Sequence, residues 1–323
     1  MPSPNLNHLQ PLLQLYLQLG GGVLVGWVLG RSLPRWLPEW IAQFLFWIGV
    51  PISIIGFLRK ADLSGTIWIA PIVAWVAILL GAGFAWLWLK AGWCWGKEAL
   101  ILSNPKSWNK ATEGSFFLTS MVGNTGYLGF PVSLALVGEK YFGWALFYDM
   151  LGTVPGAYGL GVLLAARFGQ GTEGYAPLFQ AIAINPGLWS LGFGLVFRQV
   201  PLPSLVEQGL IGFAWSAIAL SLILIGMRLS QLASWNKLRQ AAMSLGIKML
   251  LVPLVLGMVL LQFGMTGKPQ LVMVLQMGMP PAFATLVLAE VFNLDRELAV
   301  TALAVGAIGL LLTLPILLVL FGV

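Results

Sequence analysis

Sulfur and charge are scarce in this chain, and each shortage removes a class of function. Cys94 is the only cysteine, which excludes a disulfide framework and a cysteine-based metal site. His8 is the only histidine, so there is no histidine cluster to hold zinc. Charged residues make up 9% of the sequence, and its 17 Lys and Arg never gather into a block. The net charge of +6 therefore does not mark a nucleic-acid surface. An enzyme embedded in a membrane would need paired acids, a His-rich metal motif or a Ser/His pair. No such set can be assembled, so neither enzymatic activity nor a cofactor is expected. Rings of like charge and repeated filter loops, the marks of a channel, are also absent. The opening residues, MPSPNLNHLQ, lack a basic segment, and no cleaved signal peptide is expected.

What fills the sequence is apolar surface. With 59% hydrophobic residues and a mean hydropathy of +0.89, the chain reads as an integral membrane protein whose main partner is the lipid bilayer. Ten apolar runs are each long enough to cross a hydrocarbon core of ~30 Å. They lie near 9–30, 37–58, 65–89, 112–138, 141–168, 177–197, 204–227, 239–263, 269–293 and 295–321. The longest connection, Lys90 to Ala111, is basic and holds Trp93, Trp95 and Trp108, as an interfacial belt does. Ten spans put both termini on one side. The opposite side carries Arg31, Arg35, Lys90, Lys97, Lys106, Lys110, Arg167, Arg228, Lys237, Arg239 and Arg296, against Arg59, Lys60, Lys140, Arg198 and Lys268 on the terminal side. The positive-inside rule then makes both termini external, in a plasma or inner cell membrane.

Ten spans divide as five plus five, and an odd number per half requires the second half to be inverted. The expected fold is thus all-α and polytopic, an inverted repeat with residues 1–168 as the first five-helix unit and 177–323 as the second, in one membrane domain. The second span ends SIIGFLR and the seventh LILIGMR; the fourth contains PVSLALVGEKYF and the ninth PPAFATLVLAEVF. In each half the fourth span is broken by glycine and proline. Pro131 has no N–H for the carbonyl of Tyr127, and Pro280 and Pro281 release those of Gln276 and Met277. Phe130 and Met279, each before a proline, are steered away from helical geometry. Irregular backbone at membrane depth survives only in protein or beside a wet cavity, and paired broken helices often cross to form a substrate site whose N-termini favour anions.

Several motifs carry a family resemblance. GNTGYLGFP followed by ALVGE, INPGLWSLGFGLVF in the sixth span, IKMLLVPLVLG in the eighth and MPPAFATLVLAEVFNLD in the ninth together resemble the auxin efflux carrier family, which includes the plant PIN exporters and bacterial permeases linked to malonate and related acids. The resemblance covers essentially all ten spans. It implies crossing fourth and ninth helices, a scaffold beside a transport domain that moves like an elevator, and a small organic anion as substrate. It also implies that Asn124 faces the substrate carboxylate beside a crossing marked by Pro131 and Pro281. Only Phe168 to Ala176 joins the halves, so the regulatory loop of the plant proteins has no counterpart, and Tyr127 and Phe130 sit where substrate preference could differ.

The residues add their own candidates. Asn124 can donate two hydrogen bonds to a carboxylate without adding charge, and Thr125, Gln276 and Thr285 are further donors near the breaks; interhelical hydrogen bonding is the plainer role for each. With Tyr127, Pro131, Pro280 and Pro281 they make the expected substrate site. Asp149 and Lys248 are the ionisable groups set deep in spans, where a charge normally lines a pathway or meets a partner. They read either as a structural ion pair or, with Asp149 unpaired, as a route for proton or ion coupling. Glu113 and Glu290 lie near span ends and read as interfacial. Gly22, Gly26 and Gly30 form a double GxxxG motif for close helix packing, within the chain or against a second copy as a homodimer. A sodium-coupled symporter of the same architecture and a non-transporting sensor are the alternative functions. The carboxylate nearest the fourth-span break in sequence, Glu139, lies eight residues after Pro131, which weakens sodium coupling.

Overall fold

A computed structural model describes residues 20–34, 36–94, 108–169, 183–231 and 237–322. His8, Arg35, Trp95, Lys97, Lys106 and the 170–176 junction lie outside them, as do the side chains of Trp93 and Cys94. The described residues are helical, and their one β feature is an isolated bridge. In order the helices are α1 Gly21–Ser32, α2 Leu37–Lys60, α3 Ile69–Cys94, α4 Lys110–Met121, α5 Thr125–Val137 and α6 Glu139–Phe168. They continue with α7 Pro186–Phe197, α8 Ser204–Gln231, α9 Leu238–Gln262, α10 Gly267–Met277, α11 Phe283–Val291 and α12 Arg296–Phe321. Six of them, α2, α3, α6, α8, α9 and α12, are long and apolar enough to cross a membrane. The apolar α5 and α7 are shorter. The fourth and ninth apolar runs are each split in two, as α4/α5 and α10/α11, with Val122–Asn124 and Gly278–Ala282 between.

Proline explains much of the local irregularity. Widened π-helical turns cover Leu45–Gly49, Thr125–Gly129, Asp149–Thr153 and Gly246–Leu251. Each of these four ends two residues before a proline, Pro51, Pro131, Pro155 and Pro253, whereas a further such turn, Gly156–Gly161, follows Pro155 directly. A proline removes one N–H and crowds the carbonyl four residues back, and a turn with i→i+5 spacing makes room for both. Phe130 accordingly stays helical, contrary to the expectation from its following proline, and the break in that run falls earlier, at Val122–Asn124. Two carbonyls freed in this way receive side-chain donors. Ser221 Oγ donates to Tyr127 O at 3.3 Å, and Trp75 Nε1 donates to Leu151 O at 3.1 Å.

The chain folds into two compact units, each drawn from both sequence halves. The first takes its described residues from Met1–Ser64, Gly126–Leu146 and Asn185–Ala233, and so contains α1, α2, α7 and α8 with most of α5. Its closest helix contact is α1 on α8. A Cβ on Gly26 would fall 2.0 Å from Ile223 O, and one on Gly226 would fall 2.0 Å from Val23 O. The double GxxxG motif thus serves packing within the chain, where small residues let two backbones touch. At one end of this unit Arg59 Nη1 donates to Phe197 O at 2.9 Å and Arg198 Nη2 donates to Ala61 O at 2.7 Å. The ends of α2 and α7 therefore cap one another, since the last carbonyls of a helix have no partner of their own. Lys60 pairs with Glu139 and Lys140 with Asp62, both at 3.9 Å, so four of the five basic residues expected on the terminal side gather here.

The second unit takes its described residues from Gly65–Thr125, Phe147–Ile184 and Ser234–Val323. Leu118, Val162, Leu288, Phe292 and Ala299, from α4, α6, α11, the turn after it and α12, form one buried cluster. α6 lies close on α3, where a Cβ on Gly152 would stand 2.2 Å from the Ala74 Cβ. Asp295 ties three chain segments together. Its carboxylate caps α12 through Leu298 N at 3.1 Å, accepts from Thr112 Oγ1 of α4 at 2.7 Å and pairs with Lys237 at 3.1 Å.

Candidate functional site

The two helix breaks in the second unit meet. Asn124 N donates to Pro280 O at 2.7 Å and Ala282 N donates to Val122 O at 3.1 Å, so Gly123 and Pro281 form an antiparallel bridge. Two turns of backbone that would otherwise leave polar groups unmatched in an apolar interior thereby satisfy each other. Pro280 and Pro281 rest on Gly306 of α12, where a Cβ would stand 2.8 Å from the Pro280 Cβ. Two helices begin directly after the bridging segments, α5 at Thr125 and α11 at Phe283. Helix N-termini carry unpaired N–H groups and a partial positive charge. α11 has no side-chain cap: Ala282 occupies that position.

Around this bridge the expected residues sort by partner. Asn124 is buried at 5% exposure, and its backbone N–H is spent on the bridge. Gln276 is fully buried in the last turn of α10. Thr285 turns its hydroxyl back on Ala282 O at 2.7 Å, and Thr125 donates its hydroxyl to the Asp149 carboxylate. Lys248 reaches the site from α9: its Nζ donates at 2.5 Å to Met277 O, the last carbonyl of α10, which has no partner within the helix. Gly123 is part of the same contact, because a Cβ there would stand 3.0 Å from both Cε and Nζ of Lys248. Asp149 and Lys248 thus each have another partner, and none of the five ion pairs among the described residues joins them. Neither expected interfacial acid is buried; Glu290 pairs with Arg296 at 2.6 Å.

Tyr127 and Pro131 belong to the first unit. There they line a small, half-open cleft with Phe57, Phe130 and Phe142 as its aromatic wall. Its serines face inward but are spoken for: Ser53 donates to Gly49 O at 2.7 Å and Ser221 to Ile218 O at 2.7 Å and Tyr127 O. The cleft is therefore apolar in character. Sequence reasoning named Tyr127 and Phe130 but missed Phe57, Phe142 and the serines, whose only sequence signal is a position on the buried face of an apolar run.

The described residues are thus helical, with six helices long and apolar enough to cross a membrane and a buried polar centre where two interrupted helical runs meet. The model of the membrane transport protein family matches residues 178–318. An uncharacterized transporter of Methanothermobacter thermautotrophicus is 26% identical over 272 residues, 83% of this chain and 84% of that protein. The uncharacterized transporter MJ1031 of Methanocaldococcus jannaschii is 29% identical over 195 residues, 59% of this chain and 62% of that one. The chain is thus similar to uncharacterized membrane transporters over most of its length, and the family match falls in its second half.

Proposed function

We propose that the chain is a secondary transporter of a small organic anion, such as an auxin-like monocarboxylate or a malonate-like dicarboxylate, bound at the bridge between the two helix breaks. The observation that carries this reading is the buried backbone bridge between the two helix breaks, directly after which α5 and α11 begin. Two partial positive ends and their N–H groups suit a carboxylate. Asn124 is the side-chain contact in this reading, with Gln276 beside it and Thr125, Thr285, Pro280 and Pro281 shaping the site. A neutral donor set holds an anion loosely enough to release it, which a carrier requires.

The motion in this reading is alternating access of the elevator type, with the second unit as the carrier. Support comes from the way each compact unit draws on both sequence halves, as a five-plus-five inverted repeat of ten spans with external termini would provide. A sodium-coupled symporter is the second reading, and the lysine on the freed Met277 carbonyl speaks against it. The test is uptake of labelled mono- and dicarboxylates into proteoliposomes, varying sodium, pH and voltage one at a time. Saturable uptake of one acid class that an excess of unlabelled acid suppresses is expected; a panel without any saturable uptake would overturn the reading.

A further inference from the structure

Carbonyls left without a helical partner, by a proline or by a helix end, can be taken up by a side chain. Tyr127 O and Leu151 O receive neutral donors, Ser221 and Trp75. Met277 O, at the end of the broken α10, instead receives the ammonium of Lys248. A hydroxyl or an indole suffices to satisfy a backbone carbonyl, whereas a lysine deep in an apolar interior is costly to place. The charge is therefore retained for something other than hydrogen bonding. Its surroundings indicate what. The end of α10 carries the partial negative charge of a helix C-terminus, and Met279 O lies 3.4 Å from the point where a Cβ of Gly123 would stand, itself 3.0 Å from the Lys248 Nζ. Freed carbonyls at a helix C-terminus are the ligands from which carriers with broken helices build sites for a coupling cation. The glycine at 123 keeps the space into which the ammonium fits.

We propose that Lys248 is a tethered cation: its ammonium fills the place at the broken end of α10 that a free monovalent cation would otherwise occupy. The broken end of α10 is then held by a side chain of the same unit and needs no dissolved cation. This inference does not depend on the identity of the transported anion, and its test reads protein stability rather than transport.

Purified protein is melted in sodium, choline, n-propylammonium or tetramethylammonium chloride at equal ionic strength. The wild type should melt at one temperature in all four salts. Lys248→Ala removes three carbons and the ammonium, the atoms of propylammonium. It should melt several degrees lower in choline and recover most of that loss in propylammonium, with no recovery in tetramethylammonium, which has no N–H. Lys248→Met keeps the bulk of the stem and removes the charge; it should gain stability with rising sodium and serves as the test if the alanine variant does not fold. A wild type that melts several degrees higher in sodium than in choline overturns the proposal, because a free cation then binds as well. So does a Lys248→Met protein whose melting is indifferent to every cation.

Discussion

Gly123 and Pro281 face each other as an antiparallel bridge between two helix breaks that are far apart in sequence. The bridge consumes the N–H groups of Asn124 and Ala282 and the carbonyls of Pro280 and Val122. Beside it, α5 and α11 begin at Thr125 and Phe283, and the Met277 carbonyl that ends α10 is covered by Lys248. A broken helix pair held by its own backbone has its polarity fixed before any ligand arrives, and preorganised dipoles do not have to reorient when an anion binds.

Gly123 is a tight point in that arrangement. Gly123→Ala would set a methyl 3.0 Å from Cε and Nζ of Lys248 and 3.4 Å from Met279 O, so the lysine must give way. Overpacking of this kind costs about 1–3 kcal/mol. Gly83→Ala in α3, with nothing within 4 Å of the new methyl, is the control and should change stability by less than about 1 kcal/mol. Melting of the two purified variants in one detergent decides the matter. Equal melting temperatures would mean that the close approach of Gly123 to Lys248 carries no weight.

The contact between α1 and α8 rests on two glycines that each admit a carbonyl of the other helix. Gly26→Ala and Gly226→Ala should each destabilise at the upper end of the about 1–3 kcal/mol seen for overpacking, because the clash is with backbone and cannot be relieved by a rotamer. Once one methyl has pushed the helices apart the second has less to disturb. The double variant should therefore lose clearly less than the sum of the two single losses. Denaturant titration of all three proteins reads this directly, and full additivity would show that the glycines act separately.

Much of this was visible in the sequence, for reasons that can be named. Apolar run length exposed the helices, and Gly-Asn-Thr-Gly with Met-Pro-Pro marked the two breaks, because glycine and proline act on the backbone of their own neighbourhood. Pro131 misled: it looked like the break itself, yet a π-helical turn absorbs it and the chain opens at Val122–Asn124. Whether a proline bends or breaks a helix depends on a donor elsewhere in the fold, here Ser221 in α8, and no local pattern records that. The same holds for Lys248. Its depth in a span was legible, whereas its partner is a backbone carbonyl, which every residue possesses. Nor does composition tell which helix a GxxxG motif meets, so Gly226 as the counterpart of Gly26 emerged only from the packing.

Asp149 and Lys248 should behave as independent residues. Asp149 accepts from Thr125 and Lys248 donates to Met277 O, so removing one leaves the partner of the other in place. Asp149→Asn and Lys248→Gln should each cost stability, since each strips a buried hydrogen bond to a charged group, worth about 1.5–3 kcal/mol. In a double-mutant cycle their interaction energy should stay within about 0.5 kcal/mol of zero. Rescue of one single variant by the other would instead reveal an ion pair between them.

Asn124 offers the sharpest test of the proposed anion site, because its two functions are separable. Its backbone N–H holds the bridge through Pro280 O, and substitution of the side chain leaves that bond available. Asn124→Ala should therefore keep the fold while removing a side-chain donor from the place where α5 begins. Losing a hydrogen bond to a charged group costs about 1.5–3 kcal/mol, which is roughly a 10- to 100-fold fall in anion affinity. Asn124→Asp preserves shape and size but replaces an amide donor with an acceptor that repels a carboxylate, so it should bind the anion more weakly than the alanine variant. The order wild type, then alanine, then aspartate separates a contact from mere space filling, which would rank aspartate near wild type. The measurement is binding of the transported acid to the three purified proteins, with melting temperature recorded alongside to exclude misfolding. Wild-type affinity in a well-folded Asn124→Asp protein would move the carboxylate contact away from Asn124 and onto the helix N-termini alone.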